Sequence, residues 1–127
     1  MKKELREKVF DKYDGHCAYC GCKLQMKDMQ VDHIGSQYLT RLKGEKVIET
    51  IETLNPSCRK CNFYKGTLSI ERFRYSLANI LQKSVQKPFQ FKLALKYDMV
   101  SVKEWDKKFY YEKFINRKNG SNLSAKR

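Results

Sequence analysis

Nowhere in this chain does an apolar run approach the roughly 18 residues that a membrane-spanning helix needs. The amino-terminal stretch MKKELREKVFDKYD is charged at nearly every second position, so neither a signal peptide nor a transmembrane helix is expected. Acidic residues are scarce as well: 14 stand against 27 lysines and arginines, for a net charge of +13. The imbalance is heavier from Gly66 onward, and it favours a polyanionic partner, since each phosphate neutralised releases counterions. Charge alone does not separate such a partner from a merely soluble basic surface. No internal repeat is visible. At 127 residues the chain is sized for one domain, whose modest core would gain from a further staple.

That staple is suggested by the cysteines. There are five, an odd number in a chain where no secretion signal is expected, which points to metal ligands or catalytic thiols and away from a disulfide framework. Cys17 and Cys20 form one C-x2-C pair and Cys58 and Cys61 another. A knuckle turns both sulfurs of a pair to one side, and two knuckles supply the tetrahedral thiolate set that zinc prefers, with no open position for catalysis. Four unrelated buried thiols and an iron–sulfur cluster are the competing readings, but no other feature asks for redox chemistry. Cys22 is left over as a free thiol beside the first knuckle, unless it replaces Cys20 in the set. His16 reads as a bystander.

Leu5, Val9, Phe10 and Tyr13 recur at helical spacing, predicting an amphipathic helix over residues 3–13 that Asp14-Gly15 ends. MQVDHI reads as a short strand. Residues 35–52 lack a helical pattern and suggest a basic loop that returns to TLNPSCRKCNFYKG, where the second knuckle runs into a short helix stopped by Gly66. After Ser69, the stripe Ile70, Phe73, Leu77 and Ile80 predicts a helix packed on a core. Residues 88–99 alternate like a strand, yet Pro88 suits a first helical position, and helix is favoured. KFYYEKF reads as a strand, and the polar tail beyond Phe114 as frayed.

With two knuckles bracketing Asp32-His33 and with Asn62 directly after the last cysteine, the ordered combination CAYCG, VDHI and LNPSCRKCNFYKG resembles the HNH endonucleases. The later GTLSIERFR and FYYEKF look like small stand-alone members from bacteriophage genomes. The resemblance implies an α+β fold: a ββα-metal HNH core braced by a four-cysteine zinc site, with an N-terminal helix and a C-terminal helix/strand extension. It implies a single nuclease domain over 1–114, its motif core at 17–66, with a flexible basic tail over 115–127.

The implied chemistry is hydrolysis of DNA phosphodiester bonds, as nicking or double-strand cutting. His33 matches the general base, and imidazole suits that task because it titrates at about pH 6.5 when unperturbed. Asp32 and Asn62 match the ligands of a catalytic Mg²⁺ or Mn²⁺, an ion that keeps several waters and takes few protein oxygens. Adjacent strand residues face opposite sides, so His33 is expected toward the water and Asp32 toward the ion. The family has an Asn where Thr53 stands here, and Asn55 lies two residues later; either could support the loop that orients His33. Arg41, Lys43 and Lys46, with Arg59, Lys60 and Lys65, are candidate phosphate contacts whose plainer reading is solvated surface. Contacts of that type position a duplex without reading its sequence. DNA is the expected partner in the cytoplasm of a bacterial or phage-infected cell, with RNA an alternative substrate and a homodimer or phage packaging proteins further expected partners. The competing function is a zinc-knuckle DNA-binding or packaging-accessory protein with weak or lost nuclease activity.

Overall fold

A computed structural model describes residues 1–115, and these divide into two compact units. The first comprises residues 1–69 and the described residues from Phe109 onward; the second is Ile70–Lys108. The architecture is α+β, with one two-stranded antiparallel sheet among the described residues. Among the same residues, no helix is long and apolar enough to cross a membrane.

The first unit opens with helix α1 (Lys3–Asp11), which buries Val9. Two cations anchor it to distant backbone. Arg6 Nη2 donates to the carbonyls of Met26 at 2.7 Å and Met29 at 2.9 Å, and Lys12 Nζ donates to Ile51 O and Leu54 O, both at 2.7 Å. Strand β1 (Gln30–His33) pairs with β2 (Leu54–Ser57) in a register that sets Asp32 opposite Asn55 and His33 opposite Leu54. Every residue of β2 is buried. Helix α3 (Arg59–Lys65) follows at once, capped by Cys58, whose sulfur accepts from Cys61 N at 3.4 Å.

The segment between the strands holds α2 (Gln37–Leu42), where the sequence predicts only loop. Ser36 explains the difference: its hydroxyl accepts from Leu39 N at 3.3 Å and starts the helix without any buried apolar face.

A second departure is larger. Residues 110–115 are helical, although KFYYEKF alternates like a strand. The first amides of a helix have no partner within it, and here Tyr110 N donates to Tyr19 O at 3.0 Å and Tyr111 N to Ala18 O at 2.8 Å. Glu112 Oε1 also accepts from Phe109 N at 2.9 Å. The knuckle's carbonyls thus take the place of a neighbouring strand. Phe109 and Phe114 enter the core, with Tyr13 edge-on to Phe114 at 5.4 Å and Tyr19 edge-on to Phe109 at 5.3 Å. The frayed tail expected past this point falls on residues outside those described.

The second unit is helical: α4 (Ile70–Tyr75) continues through a π-helical segment (Ser76–Leu81) into α5 (Gln82–Ser84), and α6 (Phe89–Lys96) follows, in keeping with the helix favoured for residues 88–99. The expected apolar stripe is only partly buried. Phe73 is 1% exposed but Ile80 is 55% exposed, because a π segment takes more residues per turn and rotates later positions off a stripe set at 3.6. Arg74 pairs with Glu71 at 3.1 Å and ties the helix to the far end of the unit by donating to Lys107 O at 2.6 Å.

Candidate functional site

The two knuckles converge. The ligand sulfurs of Cys17, Cys20, Cys58 and Cys61 all lie within 4.8 Å of one another, and Cys20 Sγ sits 3.8 Å from Cys58 Sγ. Four sulfurs about 2.3 Å from a tetrahedral ion stand about 3.8 Å apart, so these four cysteines are positioned to bind a metal ion. Local backbone makes the first knuckle. Gly21, at φ +82°, lets its N–H donate to Cys17 O at 3.0 Å. A Cβ there would also meet the Tyr110 ring at 2.5 Å. Cys17 N donates to Cys22 O at 2.8 Å, while Cys22 N points at Cys20 Sγ at 3.5 Å. Cys22 therefore serves the knuckle through its main chain, and the clustered set contains Cys20 in its place. Hydrogen bonds from Cys20 and Cys61 hold the Cys17 thiol well below the ordinary thiol range, and the same contact with Cys17 pushes Cys61 up. Sulfurs this close favour loss of protons to a cation.

In the same unit, Val31, Asp32, His33, Gln37, Asn62 and Thr67 are among the residues lining an open cavity of about 230 Å³. Strand β1 and helix α3 bring the adjacent pair Asp32-His33 and the distant Asn62 to one place. His33 is hydrogen-bonded through Nε2 to Gln37 Nε2 at 2.8 Å, and Glu49 Oε1 lies 4.0 Å from the same nitrogen. The side-chain amide of Asn62 makes no hydrogen bond among the described residues.

Asp32 has a different setting. It is 4% exposed, and both of its oxygens are engaged: Tyr19 OH donates to Oδ2, and Lys65 Nζ lies 3.2 Å from Oδ1. Burial, then the Asp32 charge, raises the Tyr19 phenol above its ordinary range, which keeps it a donor. Asn55 Nδ2 donates to Tyr19 OH at 3.3 Å, and Asn55 Oδ1 accepts from Lys12 Nζ at 3.1 Å. Burial lowers the Lys12 ammonium from its usual value, with Glu52 opposing. A continuous polar chain thus runs from Lys12 through Asn55 and Tyr19 to Asp32 and Lys65.

Lys65 corrects the expected phosphate-binding set. It is 1% exposed, its ammonium turned inward to Asp32, because α3 packs against β1, the strand that carries this carboxylate. Arg41, Lys43, Lys46, Arg59 and Lys60 are exposed. Thr53 and Asn55 do not hydrogen-bond the His33 ring. The Thr53 hydroxyl donates to Ile48 O at 2.8 Å within its own turn, and its carbonyl accepts from Ile34 N at 3.0 Å, fixing the backbone just after His33.

Three residues of the site were not evident from the motifs. Gln37 falls four positions after His33 on a segment read as loop, Tyr19 lies inside the first knuckle, and Glu49 comes from the far end of the long connection. The tyrosine within the first C-x2-C is the one signal that sequence offered, since a large phenol between metal ligands must be placed somewhere. No family model, curated protein or solved structure matches the chain.

Proposed function

We propose that this chain is a divalent-metal-dependent endonuclease of the HNH type that hydrolyses DNA phosphodiester bonds, with a structural zinc on Cys17, Cys20, Cys58 and Cys61. The reading is supported above all by one observation: His33, Asp32 and Asn62, drawn from two elements, line a single cavity in the unit that also holds the cysteine cluster.

In this reading His33 is the general base. A carboxamide presents either oxygen or nitrogen after a half turn; with its oxygen toward Nε2–H, Gln37 leaves Nδ1 as the open lone pair. Nδ1 takes a proton from water, the water oxygen forms the new bond to phosphorus, and the bond from phosphorus to the 3′ oxygen breaks. The departing oxygen then takes a proton from solvent, giving a 5′-phosphate and a 3′-hydroxyl. Glu49 stabilises the imidazolium that results. Mg²⁺ or Mn²⁺, held by Asp32 and Asn62, would supply stabilisation of negative charge on the phosphoryl and leaving oxygens. The donor set fits a hard cation, with a free carboxamide and a carboxylate bordering the cavity. The five exposed cations would hold backbone phosphates.

Supercoiled plasmid incubated with Mg²⁺ or Mn²⁺ should become nicked or linear, and chelator should stop it. His33→Ala should slow cutting by about 10²- to 10⁴-fold, the usual range for a lost general base, while metal content at the cysteines stays unchanged. Full activity in that variant would remove His33 from the mechanism. A second reading, a nucleic-acid-binding protein without cleavage, draws on the ion pair that already occupies Asp32; binding without cutting across several divalent ions would favour it.

A further inference from the structure

Resting on the nuclease reading, we propose that Lys65 neutralises Asp32 in the free protein, so that the divalent ion is taken up together with the phosphodiester and not before it. Asp32 and Lys65 are a buried pair: their side chains are 5% and 0% exposed, and they approach to 3.2 Å. Asp32 is the acidic residue among those lining the cavity; His33, Asn62, Gln37, Ser36 and Thr67 bring no negative charge. Pairing Asp32 with an ammonium leaves this donor set with no net charge. Hard divalent cations are held by anionic oxygens, and a cation entering beside Asp32 would also meet the like charge of Lys65.

The whole Lys65 side chain is enclosed, so moving its ammonium away from Asp32 would require its neighbours to rearrange. Tyr19 donates to the other carboxylate oxygen, which favours the same pairing of Asp32 with Lys65. Glu49 stands 4.0 Å from His33 Nε2 but is not among the residues lining the cavity, so the negative charge that the ion lacks comes from outside the protein. A phosphodiester in the cavity supplies it, along with non-bridging oxygens that complete the coordination of the ion. The buried pair then acts as a safeguard: in the absence of a nucleic-acid backbone the site is not loaded, and free divalent ions do not organise it.

The test measures Mn²⁺ binding by electron paramagnetic resonance, using zinc-loaded His33→Ala protein so that the duplex is cut too slowly to matter over the measurement. A short duplex should tighten Mn²⁺ binding at least tenfold, after subtraction of the ion held by the duplex alone. Lys65→Met, which keeps the stem and removes the charge, should bind Mn²⁺ at least tenfold more tightly without DNA, and Mn²⁺ should raise its melting temperature more than that of the parent. Equal Mn²⁺ affinity with and without duplex would overturn the proposal, as would an unchanged affinity in Lys65→Met. Should Lys65→Met fail to fold, the comparison with and without duplex decides by itself. The plasmid assay keeps the two readings apart: cutting by the wild type together with tight Mn²⁺ binding to the free protein would sink the role of Lys65 and leave the nuclease standing.

Discussion

The cysteine-bearing unit and the Ile70–Lys108 unit draw on different sources of order. In the first, side chains reach across the sequence: Arg6 to Met29, Lys12 to Leu54, Tyr19 to Asp32, Lys65 to Asp32. Aromatic rings of Phe109 and Tyr111 close the core around Tyr19. In the second, Arg74 reaches Lys107 O and Gln82 reaches Lys103 O, yet few large side chains are enclosed. Phe73 is its fully buried large side chain among the described residues, and Ile80, Val85, Phe89, Leu93 and Tyr97 are exposed. A short chain with few secondary-structure elements can hold a precise site where polar and metal-binding groups converge, while helices elsewhere rest on propensity and a thin apolar contact. Precision and helicity are therefore separable.

Metal removal should widen this contrast most. A tetrathiolate zinc contributes about 10 kcal/mol or more to folding, so chelation should collapse amide-exchange protection over residues 17–61 far more than over 70–84. Cys58→Ser should lower the melting temperature and the bound metal, while Cys22→Ser, outside the clustered set, should leave the metal content intact. Equal loss of protection in both units would break the comparison.

A smaller effect separates two phenylalanines. Phe109 is 1% exposed and Phe89 is 71% exposed. Phe109→Ala should cost about 3–5 kcal/mol in a denaturant titration, as large-to-small core changes do, and Phe89→Ala about 0.5 kcal/mol or less. Similar losses would show that the second unit depends on its exposed rings.

The smallest prediction sharpens the polar chain. Tyr19→Phe keeps the ring packing and removes the donor to Asp32, leaving a buried acceptor short of one bond, at a cost of about 1–3 kcal/mol. Its melting temperature should fall while its cysteine metal content holds. No change in stability would detach Tyr19 from Asp32.

Much of the site was readable in order but not in roles. The paired cysteines announce their convergence because a C-x2-C knuckle is a local geometry, and β1 and α3 follow from β-branched residues and from Gly66 as a stop. The placement of Lys65 was not readable: a lysine in CNFYKG looks like surface, and its burial depends on a carboxylate contributed by a distant strand. Gln37 was hidden for a similar reason, because Ser36 starts a helix with no apolar periodicity to betray it. Residues 110–115 went the other way. Their alternation suits a strand, but a strand needs a neighbour with free amides and carbonyls in register, and the knuckle offers two carbonyls at the spacing of a helix start.

The sequence by itself determined the four-thiol set, the basic character, the first helix and the adjacency of Asp32 and His33, because each depends on composition or on residues within a few positions of one another. Tertiary structure alone decided which groups hold Asp32 and His33. Tyr19, Lys65 and Glu49 approach these side chains only after the strands pair and the chain folds back, and contacts made across that much sequence leave no local pattern to read, while Gln37 reaches His33 from four positions away through the start of α2.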